Sequence, residues 1–318
     1  MANSWFFNVS EIELGGSSVL GNNYTWFYII HIVAAIIITI SMTACATVII
    51  SIIISWRQSR QSLIAGDQPK PQQTKMEFVD RFPFYLAVAD FVWGCSNLPA
   101  HLLLLITEKY PSNDLVSLIV AVNMSAFLGY QQLMHAGLAI YTYLGVVRWK
   151  YLDLGRGDWK IHLICGGLTI FLILGLLPFD SFGPSGYWMH QNVRYPGGVI
   201  FSFHVTVFVA LQGFCTALGY RSIQRVVDEG KQIISSHISS NRPQDLHGTA
   251  HKCLATFVLI AICLYCPLSF IVLAFSIEIS LGVVEPVTSL LIVIIGNSSG
   301  WANAVGYFRN RRIKKLGK

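Results

Sequence analysis

PFYLAVADFVWG, residues 83–94, decides how this chain is read. Ten of its twelve residues are apolar or glycine, Tyr85 is amphipathic, and Asp90 stands in the middle. A charged side chain at bilayer depth costs roughly 2.5 kcal/mol or more, so the segment either does not span or carries its carboxylate for a reason. The composition favours a span. Of 318 residues 53% are hydrophobic and only 12% are charged, against about 25% charged in an ordinary soluble domain. Apolar runs of the ~20 residues that a membrane-crossing helix needs occur seven times, at about 24–55, 82–106, 114–147, 161–179, 197–224, 253–276 and 282–306. Strand-like alternation is absent, which argues against a barrel. The expected fold is an all-α membrane protein: a tail over 1–23, a seven-helix transmembrane domain over 24–306, and a short cytoplasmic amphipathic helix over 307–318. Residues 1–23 lack a basic start and an apolar core, so the first span is expected to act as its own insertion signal.

The net charge of +6 is not spread as a nucleic-acid-binding surface requires. Segments 56–81, 148–160, 221–252 and 308–318 hold 5, 4, 5 and 6 Lys/Arg, leaving only Lys109 and Arg194 for the opposite side. By the positive-inside rule the N-terminus is outside and the C-terminus inside. Asn8-Val9-Ser10 and Asn23-Tyr24-Thr25 are glycosylation sequons in the outer tail. The seven cysteines lie in or beside apolar runs; Cys263 and Cys266 form a CxxC whose one-turn spacing inside a span reads as packing rather than redox or zinc chemistry.

With that topology, Leu86-Ala87-Val88-Ala89-Asp90 in span two resembles the LAxAD of the rhodopsin-like G-protein-coupled receptors. Span seven ends Asn303-Ala304-Val305-Gly306-Tyr307-Phe308 before a basic tail, similar to the family's Asn-Pro-x-x-Tyr with alanine in place of proline. Span six keeps an aromatic residue, Tyr265, two before Pro267, as in the family's Cys-Trp-x-Pro bend. The Asp-Arg-Tyr of span three has Tyr141-Thr142-Tyr143 as its counterpart, so Thr142 replaces the arginine that holds the family's inactive state. The family's outer disulfide has no cysteines here, with Ser117 near the first expected position. The chain resembles divergent members of the family, similar to fungal and other non-animal receptors of the cyclic-AMP-receptor-like kind.

The resemblance implies a function: transduction of an extracellular signal to a heterotrimeric G protein at the plasma membrane. It also implies an allosteric ion or proton site, sodium in the family, at Asp90 with Asn303, Ser299 and Gln131. Asn303 and Ser299 are four apart and share one helical face. The alternative is a protonated aspartic acid bonded between helices with no signalling role. His135, one turn below Gln131, adds a second ionisable group and a possible Asp90–His135 proton sensor. The tail is too short to fold as a ligand-binding domain, so a small or lipid-like ligand is expected among Asn97, His101, Met124, His204, Ser269 and Asn297, with Trp188 as a lid. Each of these is also a ready helix-packing hydrogen bonder. Retinal is excluded because 282–306 contains no lysine. Met124 stands where amine receptors carry their counter-ion. The tail FRNRRIKKLGK is expected to lie on anionic membrane lipid. No cofactor, metal or enzymatic motif is read. The competing classes are a non-coupling atypical seven-helix receptor, favoured by Thr142, and a seven-helix transporter or channel; the latter usually shows duplicated halves or several intramembrane charges, which are absent.

Overall fold

The computed structural model of the chain describes residues 24–64, 78–108, 114–147, 152–184, 187, 189–191, 244–280 and 285–316, with scattered positions between 200 and 225. Seven α-helices are described: α1 (Tyr24–Ile64), α2 (Phe78–Thr107), α3 (Asp114–Val147), α4 (Trp159–Leu176), α5 (Gln244–Ser280), α6 (Pro286–Gly296) and α7 (Ser299–Leu316). The last two are consecutive halves of one membrane crossing, Pro286–Arg311, so six candidate spans are present. The chain is a multi-pass α-helical membrane protein by helix length and hydropathy. The expected span at 197–224 lies largely outside the described residues.

Each helix buries one stripe and offers the rest to lipid. On α1 the buried residues Phe27, Ile30, Ala34, Ile38, Cys45, Val48 and Ile52 recur at helical spacing, while Ile32, Ile36, Ile40, Ile50 and Ile54 are exposed. Lipid tails are as apolar as these side chains, so helix association relies on close packing and interhelical hydrogen bonds rather than on removal from water. Glycine supplies the closest approach. A Cβ on Gly300 would sit 2.8 Å from Cys45 Sγ and 3.3 Å from the Ser41 carbonyl oxygen, so α7 lies almost backbone to backbone on α1. The threonines of the exposed α1 face, Thr39, Thr43 and Thr47, return their hydroxyls to carbonyls four residues back and so do not meet lipid unpaired.

One feature differs from the expectation drawn from the sequence. The last span does not end at 306 with a separate amphipathic helix after it: α7 runs unbroken through Tyr307 to Leu316. Alanine at 304 keeps the backbone N–H that the family's proline lacks, so nothing there interrupts the ladder. The break falls earlier, at Asn297 (φ −95°, ψ 0°), where Ser298 N–H bonds the Ile295 carbonyl three residues back. The loop after α4, for which the sequence offers no disulfide, is held by pairing and packing. Its hairpin, β1 (Phe182–Pro184) and β2 (Met189–Gln191), pairs Phe182 with Gln191, and Phe182 and Tyr187 join Phe27, Ile30, Leu104 and Phe275 in one buried cluster. Among the described residues every cysteine is free, Cys263 and Cys266 included.

Candidate functional site

Asp90 is 3% exposed and sits where α2, α3 and α7 meet. Its Oδ1 accepts from Ser299 Oγ at 2.9 Å and from Gln131 Nε2, and its Oδ2 accepts from Asn303 Nδ2 at 3.0 Å. Gln131 Nε2 also donates to Ser299 Oγ at 2.6 Å. All three neighbours therefore act as donors to one carboxylate, the arrangement that suits its charged form. The two ion pairs among the described residues lie elsewhere, so the Asp90 carboxyl is met there by neutral hydrogen-bond donors. Gln131 Oε1 and Asn303 Oδ1 are buried without a partner. A carboxylate, a hydroxyl and two idle amide oxygens form an oxygen-only donor set, which fits a hard cation such as sodium or a shared proton and not a soft metal. Among the described residues no group of three metal-ligating side chains is found.

Helical geometry explains the assembly. Ser299 and Asn303 are one turn apart on α7, and α7 starts at Ser299 because the chain breaks just before it. Gln132, the other glutamine of α3, is buried but does not bond Asp90. His135 meets the Tyr265 ring in a T-shaped contact, with centroids 5.2 Å apart, and is not among the hydrogen-bond partners of Asp90.

One to two turns along α2, a second buried cluster forms around the break. Trp93 Nε1 and Asn97 Nδ2 both donate to Asn297 Oδ1, at 3.0 and 2.8 Å; Asn297 Nδ2 donates to the Val293 carbonyl, and Ser41 Oγ to the Asn297 carbonyl at 2.5 Å. Asn97 and Asn297, expected at a ligand pocket, thus hold helices together. His101 is likewise engaged: its Nδ1 lies 2.7 Å from Nδ1 of His31 on α1. Met124 packs with Trp93 and Ala100, and Ser269 donates to the Cys266 carbonyl beside Pro267, which α5 carries inside its helix. His204, Trp188, Asn8 and Asn23 lie outside the described residues.

Of the activation-motif positions, Tyr265 and Tyr307 are buried, and Tyr141 packs on Phe82 at 5.8 Å. Thr142 and Tyr143 are on helix α3, with side chains outside the description. Tyr307 joins Phe82, Leu86, Leu138 and Phe257 in an apolar cluster on the α2 N-terminal side of Asp90.

One site was missed entirely by sequence reasoning. Asp158, 2% exposed and at φ 57°, receives Arg81 Nη1 at 3.0 Å and Tyr85 Oη–H at 3.1 Å. This ties the segment between α3 and α4 to the start of α2. The same segment is braced by Lys160, whose ammonium bonds Asp153 at 2.6 Å and, with the Gly155 N–H, holds that carboxyl below its usual range. A signal for the α2 contacts was present in the sequence: Asp90, Asn97 and His101 are 7 and 4 apart and share one face of α2. No signal marked Asp158, whose partner is 77 residues away.

No protein-family model matches the chain, and no curated protein matches it. The fold and the site define a class only: a multi-pass helical membrane protein with a buried, hydrogen-bonded carboxylate between its helices.

Proposed function

We propose that this chain is a seven-helix receptor that passes an extracellular small or lipid-like ligand's signal to a heterotrimeric G protein, with Asp90 as its allosteric cation or proton site. The observation that carries the reading is the Asp90 cluster, where one carboxylate draws donors from α3 and α7 and is flanked by two unpartnered amide oxygens. An ion or proton gained or lost there changes the pairing of three helices at once. Two further features support it. Pro267 removes a rung from the α5 ladder, and the break at 297–298 lets the halves of the last span move separately. In this reading 197–224 forms the remaining span, the N-terminus with Asn8 and Asn23 is outside, and the basic end of α7 lies at the inner leaflet of the plasma membrane.

The test is nucleotide exchange on a panel of G-protein α subunits by the protein in nanodiscs, beside Asp90→Asn. The expected result is basal exchange that the variant alters and that sodium modulates only when Asp90 is present. Thr142, in place of the arginine, favours a second reading, a non-coupling atypical receptor. Absence of exchange on every subunit, from a correctly folded sample, selects that reading or a transporter.

A further inference from the structure

His31 on α1 and His101 on α2 are 0% and 2% exposed, and nothing in the receptor reading uses the bond between them. Their Nδ1 atoms face each other at 2.7 Å, with ring centroids 5.0 Å apart. A nitrogen pair at that distance holds one proton: one Nδ1–H donates and the other Nδ1 offers its lone pair. Two N–H groups cannot occupy the same line. The joined pair therefore carries at most three protons on its four ring nitrogens, whereas two separated histidines in acid carry four.

We propose that this pair is a proton-operated latch between α1 and α2, which holds the outer end of the bundle closed at neutral pH and releases it in acid. The sign follows from proton count. Below the ordinary histidine value of about 6.5 the open form binds at least one proton more than the closed form, so lowering the pH favours opening. The position makes the latch consequential. It lies in the cluster where Phe27, Ile30 and Leu104 support Phe182 and Tyr187 of the hairpin segment, which covers this end of the helices. The end is the outer one in the orientation proposed above.

The surroundings bring rings and carboxylates. On α1, Phe27 makes a T-shaped contact with His31, centroids 4.4 Å apart, and Tyr28 donates to Glu108 just past the end of α2. From the hairpin segment come Tyr187 and His190, both buried. Burial, reinforced by the Glu285 carboxylate, raises the Tyr187 phenol above its ordinary value, so it stays neutral in acid. At this end of the bundle α5 carries Glu278, which accepts from Thr288 of α6, Glu285 caps α6, and α3 begins at Asp114. Glu108 is the one nearby carboxylate with a direct link to α1, through Tyr28, and it titrates in its own right, so the test must separate it from the pair.

Hydrogen exchange of the full chain in nanodiscs, followed from about pH 8 to about pH 5 and corrected for intrinsic rates, reads the latch directly. Below the ordinary histidine value of about 6.5, protection in the outer turns of α1 and α2 and in 182–191 is expected to fall at least about tenfold per pH unit, one proton's worth or more. His101→Gln and, independently, His31→Gln keep a hydrogen-bonding group but cannot titrate, and are expected to flatten the profile. Glu108→Gln is expected to leave the slope in place. A flat wild-type profile overturns the proposal, as does a slope that survives both histidine variants or disappears in Glu108→Gln. Should neither histidine variant fold, the wild-type and Glu108→Gln profiles still decide it. The outcome does not depend on coupling: a chain that drives no nucleotide exchange still shows the slope if the pair works this way.

Discussion

Asp158 combines burial, an unusual backbone and a charge in one residue. It is buried, its backbone is in the left-handed region, and its charge is met by one guanidinium and one phenol. Removing one partner of a buried ion pair leaves the other uncompensated, at a cost of about 3–5 kcal/mol. Arg81→Ala is expected near the lower end, on the order of 3 kcal/mol, because the Arg81 side chain keeps 28% of its surface exposed. Thermal unfolding in nanodiscs measures it. The exchanged pair Arg81→Asp with Asp158→Arg is expected to recover less than full stability, since arginine at 158 must be fitted into a space shaped for a short side chain. An Arg81→Ala variant as stable as wild type would show that the pair is solvated in the membrane-bound protein. Asp90 contrasts with Asp158 in kind: its partners are neutral donors rather than a cation.

At the scale of elements, α2 organises the molecule. One of its faces carries Asp90, Asn97 and His101, which meet polar groups of α3 and α7, of the break before α7 and of α1, while Glu108, just past the end of α2, meets Tyr28 of α1. Such bonds contribute on average about 0.6 kcal/mol each in a membrane, so no single one decides the packing, and shape must do the rest. Gly300 is where shape is most exacting. Gly300→Val places carbon within 3 Å of the Cys45 sulfur and against the α1 backbone, which cannot retreat as a side-chain tip can. A loss of about 1–3 kcal/mol is expected, read as a lower melting temperature, with Gly300→Ala milder. An unchanged melting temperature for the valine variant would mean that α1 and α7 are farther apart than described. The α1 stripe and the α2 polar face were both readable from spacing. The break at 297–298 was not, because the bonds that stabilise it come from Ser41, Trp93 and Asn97, up to 256 residues away.

For the whole molecule, the distribution of basic residues predicts orientation. Of 22 Lys/Arg, 20 fall in four segments that alternate with the apolar runs, and such loops stay on the cytoplasmic side. Cysteine-accessibility or reporter mapping in cells is expected to find the N-terminus outside and the C-terminus inside, with Asn8 or Asn23 glycosylated. Both termini on one side would remove 197–224 as a span and with it the receptor reading. What the sequence determined by itself is the class: long apolar helices need no tertiary partner to be recognised, because bilayer thickness sets their length and lipid sets their composition. It also placed Asp90, Gln131, Ser299 and Asn303 as candidates, since helical periodicity assigns residues to faces. Only the tertiary structure decided which faces meet. The pairing of His31 with His101, the capture of Asp158 by Arg81 and Tyr85, and the use of Asn97 and Asn297 as helix ties all depend on neighbours distant in the chain. Periodicity orients a side chain about its own helix axis, but its partner is set by how separate helices pack.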